Sequence, residues 1–504
     1  MNFEFSPAKI IALVILGIII VGGFAGGVIY FFRQPENARQ FRQDGCEDSL
    51  CSADQRSSGE SAEPDAKEPV DRQNIMIGEV DAIDIELLYS FYAGYDSLSL
   101  TSDSDKEEII RIAKEDLGLK YLKIPVNWGL IEKQKGQFDW TSNDKIASYI
   151  KKYGLSTIVF FQQSNTPAWA KKAPAIQCNS KRLSAITSDP AYYSAFVYEF
   201  AKRYKDSMSI KYIELENEPN ACSLWPDTAK YLAEVDDAVY TKVKTAYPGI
   251  NICSASFHQP LALGGLSLEK DHSYSKSFIE EYLANLKNAD CFSWHDYGRQ
   301  GFTQTDPSYE YASQYDLESN YKKVLEKYKF KDTPIIFTEC GYAKQLAGDN
   351  IAAAHLAQGY ILSHAKGVVS GRMCQGITPG IIGKRGGENY GIADVEKKEY
   401  YDGYYAFKMM RSIMTKYYKR AGHIKGELND EKYWVEKFED KDGNDLYVVF
   451  APVLLDANGI FPKTMPESQT AAINIGAGKT AIIVDMKGDE SSQSADSSGN
   501  VRLE

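Results

Sequence analysis

Between about residues 80 and 415, short apolar runs alternate with amphipathic stretches of roughly 12 to 18 residues, the pattern of repeated βα units and a parallel sheet. Eight strands can be counted. The first lies between Ile83 and Gly94; the others are Tyr121 to Val126, Thr157 to Gln162, Tyr212 to Glu216, Ile250 to Ser256, Cys291 to His295, Pro334 to Glu339 and Arg372 to Ile377. That number favours a closed (β/α)8 barrel over an open sheet. The punctuation agrees. Gly118 and Gly154 fall where helices should stop, and Asp189-Pro190 reads as an N-cap followed by a first-turn proline, opening a helix through Tyr204.

Four segments follow from this frame. Residues 1–33 contain Ile10 to Phe32, an uncharged run of about 34 Å if helical, which reads as a single transmembrane helix; a cleaved signal peptide is the rival reading. Within it Gly22, Gly23, Gly26 and Gly27 make two overlapping GxxxG spacings that could support a weak homodimer. Residues 34–74, rich in Glu, Asp, Ser, Gln and Arg, cannot bury enough apolar surface to fold and read as a flexible, disordered linker. Residues 75–415 are the barrel. Residues 416–504 lose the helical period, and their short strand-like runs, with turns at Asp442-Gly443 and Gly476 to Gly478, read as an all-β sandwich domain.

Two of the barrel strands end in a carboxylate. In KYIELENEPN, Pro219 cannot continue a ladder, so the chain leaves the sheet at Asn217 and Glu218; in TPIIFTECGY, Gly341 ends the run just after Glu339. Both side chains are then expected at the mouth of the barrel, where this architecture collects its reacting groups. A separation of about 5 to 5.5 Å would suit a retaining glycosidase, with Glu339 as nucleophile and Glu218 as acid/base. The negative charge of Glu339 is expected to raise the pKa of Glu218 and keep it protonated. A formal net charge of -12 argues against nucleic acid as a partner and suits a neutral substrate.

ENEPN, then SWHDYG, then FTECGY resemble the glycoside hydrolases of clan A, with family 39 and family 5-like members nearest, over about residues 80 to 415. The resemblance implies a TIM barrel and the hydrolysis of O-glycosidic bonds. It assigns Glu218 as acid/base, Asn217 as the amide that meets the sugar 2-hydroxyl, Glu339 as nucleophile, and His295 and Tyr297 as the sixth-strand motif, in which the tyrosine hydroxyl orients the nucleophile. The stretch from Trp128 to Trp140, and TPAWA around Trp169, resemble loops of the same enzymes. There are two departures. YLKIPVNW offers Lys123 where many members have arginine, so Lys123 would supply the positive charge near Glu339, and RMCQGITPG has no tryptophan to floor the sugar site.

Trp128, Trp169, Trp225 and Trp294 lie near strand ends, where they either stack on sugar rings or pack the core, with Trp128 and Trp169 expected against the substrate, while Trp140 is expected under the following helix. The six histidines show no metal-ligand spacing and there is no CxxC, so neither a metal nor another cofactor is expected. Cys253, Cys291 and Cys374 read as buried thiols on strands, and Cys340 should face away from the lumen. Cys178 and Cys222, in loops beyond neighbouring strands, could pin the rim as a disulfide in an extracytoplasmic domain. The resulting expectation is a membrane-anchored retaining glycosidase acting on a poly- or oligosaccharide outside the cell. The alternative is a catalytically impaired carbohydrate-binding or scaffold protein on the same fold.

Overall fold

A computed structural model of the chain describes Ile18–Val21, Val28–Phe31 and residues 85–503 apart from 94–101, 162–164, 179–182, 259–275, 297–320, 342–343, 345–347, 368, 378–388, 424–433, 451–470 and 485–489. Its centre is a closed barrel of eight parallel strands: β1 (Ser90–Tyr92), β2 (Tyr121–Val126), β3 (Ser156–Phe161), β4 (Ile210–Asn217), β5 (Asn251–His258), β6 (Phe292–Asp296), β7 (Ile335–Cys340) and β8 (Val369–Gly376). Pairing of β8 with β1, Met373 opposite Ser90 and Gly376 opposite Tyr92, closes the circle. Each strand expected from the sequence is present, with ends shifted by a few residues.

Local chemistry sets the element ends. The Asp189 side chain accepts from the Ala191 amide at 2.8 Å and Pro190 opens the helix Pro190–Tyr204. Gly154 ends the helix Thr141–Tyr153 in the left-handed conformation, φ 67°.

Because side chains alternate along a strand, each strand feeds two compartments. The outward set, including Phe337, Trp294 and Cys340, packs with the helices into the main core. The inward set starts with a small apolar floor of Leu87, Tyr121, Ile158, Cys253, Cys291, Ile336 and Met373. Two residues further along their strands come Lys123, Ser293 and Thr338, all buried, so the lumen turns polar above that floor.

The cysteines differ from expectation. Cys253 and Cys291 form a disulfide between β5 and the start of β6, and Cys340 and Cys374 form one between β7 and β8. Neighbouring strands bring each pair of Cα atoms to 4.3 Å, a proximity that spacing in the chain does not reveal. Cys178 and Cys222 are joined as well, with Cα atoms 5.7 Å apart.

Beyond the barrel the described residues form small β-sheets. Strands β9 (Lys419–His423), β10 (Trp434–Glu439) and β11 (Asp445–Phe450) form an antiparallel meander; β12 (Ala471–Asn474) pairs with β15 (Asn500–Leu503), and β13 (Thr480–Val484) with β14 (Glu490–Ser494). His364 of the helix Asp349–Lys366 joins the two regions: its Nε2 lies 2.8 Å from the Tyr418 carbonyl and its ring packs on Phe438.

The expected N-terminal helix is not what the described part of that segment forms. Ile18–Val21 is extended and antiparallel to β13, and Val28–Phe31 is extended and parallel to β11. Uncharged, β-branched sequence satisfies its backbone equally well by adding a strand to an open sheet edge. Among the described residues no helix is long and apolar enough to cross a membrane. The GxxxG glycines and residues 34–74 lie outside the described residues.

Candidate active site

At the carboxyl end of β4 the backbone turns sharply. Glu218 has φ 46° and is held by a bond from its amide to the Ser256 carbonyl at 2.8 Å. A left-handed conformation is unusual for a residue with a Cβ, and here it precedes Pro219. Its effect is to lift the Glu218 side chain off the strand and into the barrel mouth, where it is 12% exposed. Glu339 comes from β7, where a register shift in the β6–β7 pairing sets His295 opposite Glu339. It is 8% exposed. One carboxylate oxygen of each glutamate and a ring nitrogen of His295 lie within 4.8 Å of one another.

Two cationic side chains serve the pair from below. His295 Nδ1 is 2.8 Å from Glu218 Oε1 and 3.5 Å from Glu339 Oε2. Burial by itself disfavours the charged imidazole, but Glu339, Glu214 and Glu218 outweigh it and raise the His295 pKa to about 9. Lys123 Nζ lies 3.5 Å from Glu339 Oε1, donates to the Thr338 carbonyl at 3.1 Å, and sits over the rings of Phe160 and Tyr92 at 4.3 and 4.7 Å. Lysine thus stands beside Glu339, at the distance of an ion pair.

Beneath both cations is a residue that the reading of the sequence passed over. Glu214, fully buried on β4, accepts from Lys123 Nζ at 2.9 Å and lies 4.0 Å from His295 Nε2. The second distance is an ion-pair contact and too long for a hydrogen bond. Burial pushes the Glu214 carboxyl up, but Lys123 and His295 prevail and the net shift is downward. A signal existed: a carboxylate in the middle of a central strand must find a cation.

The remaining candidates divide. Asn217 ends β4 half-buried beside Glu218, its backbone N–H donating to Glu216 Oε1. Tyr297 lies outside the described residues. Trp128 is a correction: it is 1% exposed, stacked on Phe196, with Nε1 donating to Glu132 Oε2 at 2.7 Å, so it packs the core and offers no face to a sugar. Trp169 is half-buried and edge-on to Trp128, and its Nε1 donates to the Glu132 carbonyl at 2.9 Å. Trp225 and Trp294 are both fully buried.

A closed barrel of eight parallel strands with glutamates at the ends of the fourth and seventh is the architecture of the clan A glycoside hydrolases. The family Cellulase (glycosyl hydrolase family 5) matches residues 94–364, more than half of the chain. The chain belongs to glycosyl hydrolase family 5 and is a glycosidase. In structure it is similar to a family 39 glycoside hydrolase from the gut symbiont Bacteroides cellulosilyticus WH2, with TM-score 0.60 and 19% identity over 84% of this chain and 80% of that one. It is also similar to the GH39 enzyme from Xanthomonas axonopodis pv. citri, with TM-score 0.53 and 14% identity over 82% of this chain and 91% of that one. At such identities the likeness is one of fold. A comparison with curated proteins found no match.

Proposed function

We propose that the protein is a retaining glycosidase that cleaves β-linked poly- or oligosaccharide by double displacement, with Glu339 as nucleophile and Glu218 as acid/base. The observation that carries this reading is that one oxygen of Glu218 and one of Glu339 lie within 4.8 Å of each other beside His295. Oxygens that close suit the roughly 5 Å carboxyl spacing of retaining enzymes better than the spacing of about 6.5–9.5 Å in inverting ones. In the first step a Glu339 oxygen bonds to the anomeric carbon while Glu218 gives its proton to the departing glycosidic oxygen. In the second, Glu218 takes a proton from water as that water attacks the same carbon and the bond to Glu339 breaks.

A panel of aryl β-glycosides tests the assignment. Glu339→Gln should abolish chromophore release, and turnover at the wild-type rate would remove Glu339 from its role. Azide should partly restore turnover of Glu218→Ala on substrates with good leaving groups. NMR of the first product formed should show the substrate's own anomer.

We further propose that the barrel works outside the cytoplasm, tethered to a bilayer by Ile10 to Phe32. Three disulfides support an oxidising compartment. The tether rests on the length and lack of charge of that run, and requires Ile18–Val21 and Val28–Phe31 to exchange their strand pairing for a membrane helix. Retention in the membrane pellet after an alkaline carbonate wash is expected of the full chain; full release by the wash excludes the tether.

A further inference from the structure

Among the described residues, five ionisable groups of the upper lumen are linked to one another by ion-pair contacts. Glu214 and Glu218 come from β4 and the turn after it, Lys123 from β2, His295 from β6 and Glu339 from β7. His258 of β5, buried and opposite His295 in register, is the other titratable neighbour along that strand. Lys123, Glu214 and His295 are all 0% exposed. In such surroundings net charge is expensive, so the signs must nearly cancel.

Of the arrangements that cancel, one also agrees with the raised pKa of His295 and the lowered pKa of Glu214. With Lys123 and His295 cationic and Glu214 anionic, the Glu218–Glu339 pair must carry a single negative charge between them. Before the first chemical step that charge is on Glu339 and the proton on Glu218. In the glycosyl-enzyme the ester has neutralised Glu339 and the charge is on Glu218. The sum is zero in both states, so the reaction moves one charge across the site without changing the total.

We propose that Glu214 is a positioning residue for this reaction: the fixed counter-anion that keeps Lys123 and His295 both cationic, and so limits the glutamate pair above them to one negative charge. The inference rests on the double-displacement reading and adds to it a residue that touches no substrate. Its geometry suits the task. Glu214 Oε1 faces both cations, at 2.9 and 4.0 Å, while Oε2 makes no hydrogen bond among the described residues. The side chain thus acts through its charge. The upward pKa shift of His295 and the downward shift of Glu214 have the directions this coupling requires.

The test is Glu214→Gln, which keeps the shape and removes the charge, beside Glu214→Asp, which keeps the charge. Two quantities are read: the midpoint of the His295 imidazole titration by nitrogen-15 NMR, and the alkaline limb of the kcat/KM profile on an aryl β-glycoside. Removing an opposite charge at this range lowers a midpoint by about 1–3 pH units. In Glu214→Gln both the midpoint and the limb should move down by that amount, with kcat falling at neutral pH and KM little changed. Glu214→Asp should return both toward the wild type. A folded Glu214→Gln protein with its midpoint and limb unmoved overturns the proposal, because a purely structural role lowers activity without shifting either. Should Glu214→Gln not fold, the wild type decides: a His295 midpoint near the ordinary 6.5 overturns the coupling, and one well above it supports it. The NMR titration needs no turnover, so an inactive protein with a raised His295 midpoint would sink the glycosidase mechanism and leave the coupling standing.

Discussion

His295 Nδ1 lies 2.8 Å from Glu218 Oε1 and 3.5 Å from Glu339 Oε2, so one imidazole spans the two carboxylates. The same ring links the site to the stability of the barrel. A histidine whose pKa is raised by folding stabilises the protein while protonated, and the benefit disappears once the folded form loses its proton.

For His295 the folded pKa is about 9, against about 6.5 unfolded. Its contribution is complete below about pH 6.5 and is lost as pH rises to about 9, with an upper size on the order of 3 kcal/mol at 1.36 kcal/mol per pH unit. Urea unfolding from pH 6 to 9.5 should show this decline. In His295→Gln the slope should flatten; an equally steep decline would assign it to another group.

His364 should act in the opposite sense. Burial lowers its pKa to about 4, and it is held neutral between the Tyr89 hydroxyl at 3.0 Å and the Tyr418 carbonyl at 2.8 Å. A depressed histidine contributes stability that is present above about pH 6.5 and lost as pH falls to about 4. Denaturation midpoints should therefore fall on acidification, and His364→Leu should weaken that dependence. Together the two histidines place maximum stability near pH 6.5.

Lys123→Met should be strongly destabilising. It leaves Glu214 buried without its closest cation, and breaking such a pair costs about 3–5 kcal/mol. Replacing both residues, Lys123→Met with Glu214→Leu, should recover much of the loss in urea melts while leaving the enzyme inactive. A single variant as stable as the wild type would mean that Glu214 takes up a proton instead.

Glu218→Gly should be more stable than Glu218→Ala, and both should lose activity. The left-handed backbone at φ 46° costs a residue with a Cβ about 1–2 kcal/mol, and glycine escapes that at a smaller entropic penalty. Glu218→Ala is the comparison, because it removes the carboxylate and keeps the Cβ. The glycine variant should melt higher than the alanine variant by on the order of 1 kcal/mol; equal melting would show that the turn is unstrained.

Some residues announce their place through local grammar. Pro219 and Gly341 are strand-breaking residues that directly or closely follow the two carboxylates, so Glu218 and Glu339 could be set at strand ends from the sequence. Glu214 had no such marker: its meaning comes from Lys123, 91 residues away across the lumen. Trp128 was misread because a tryptophan just past a strand end looks the same whether it faces the cleft or, as here, Phe196 and Glu132. The disulfides Cys253–Cys291 and Cys340–Cys374 follow from which strands are neighbours, which periodicity does not encode.

The sequence by itself determined the eight-fold βα alternation, because hydrophobic periodicity, helix caps and strand-breaking residues are near-neighbour properties. Only the tertiary structure decided the charges inside it. Closing the sheet brought Lys123, Glu214, His295, Glu218 and Glu339 into one space with little water. There Coulomb interactions and desolvation set which groups hold protons, and both depend on distances that exist only once the barrel has closed.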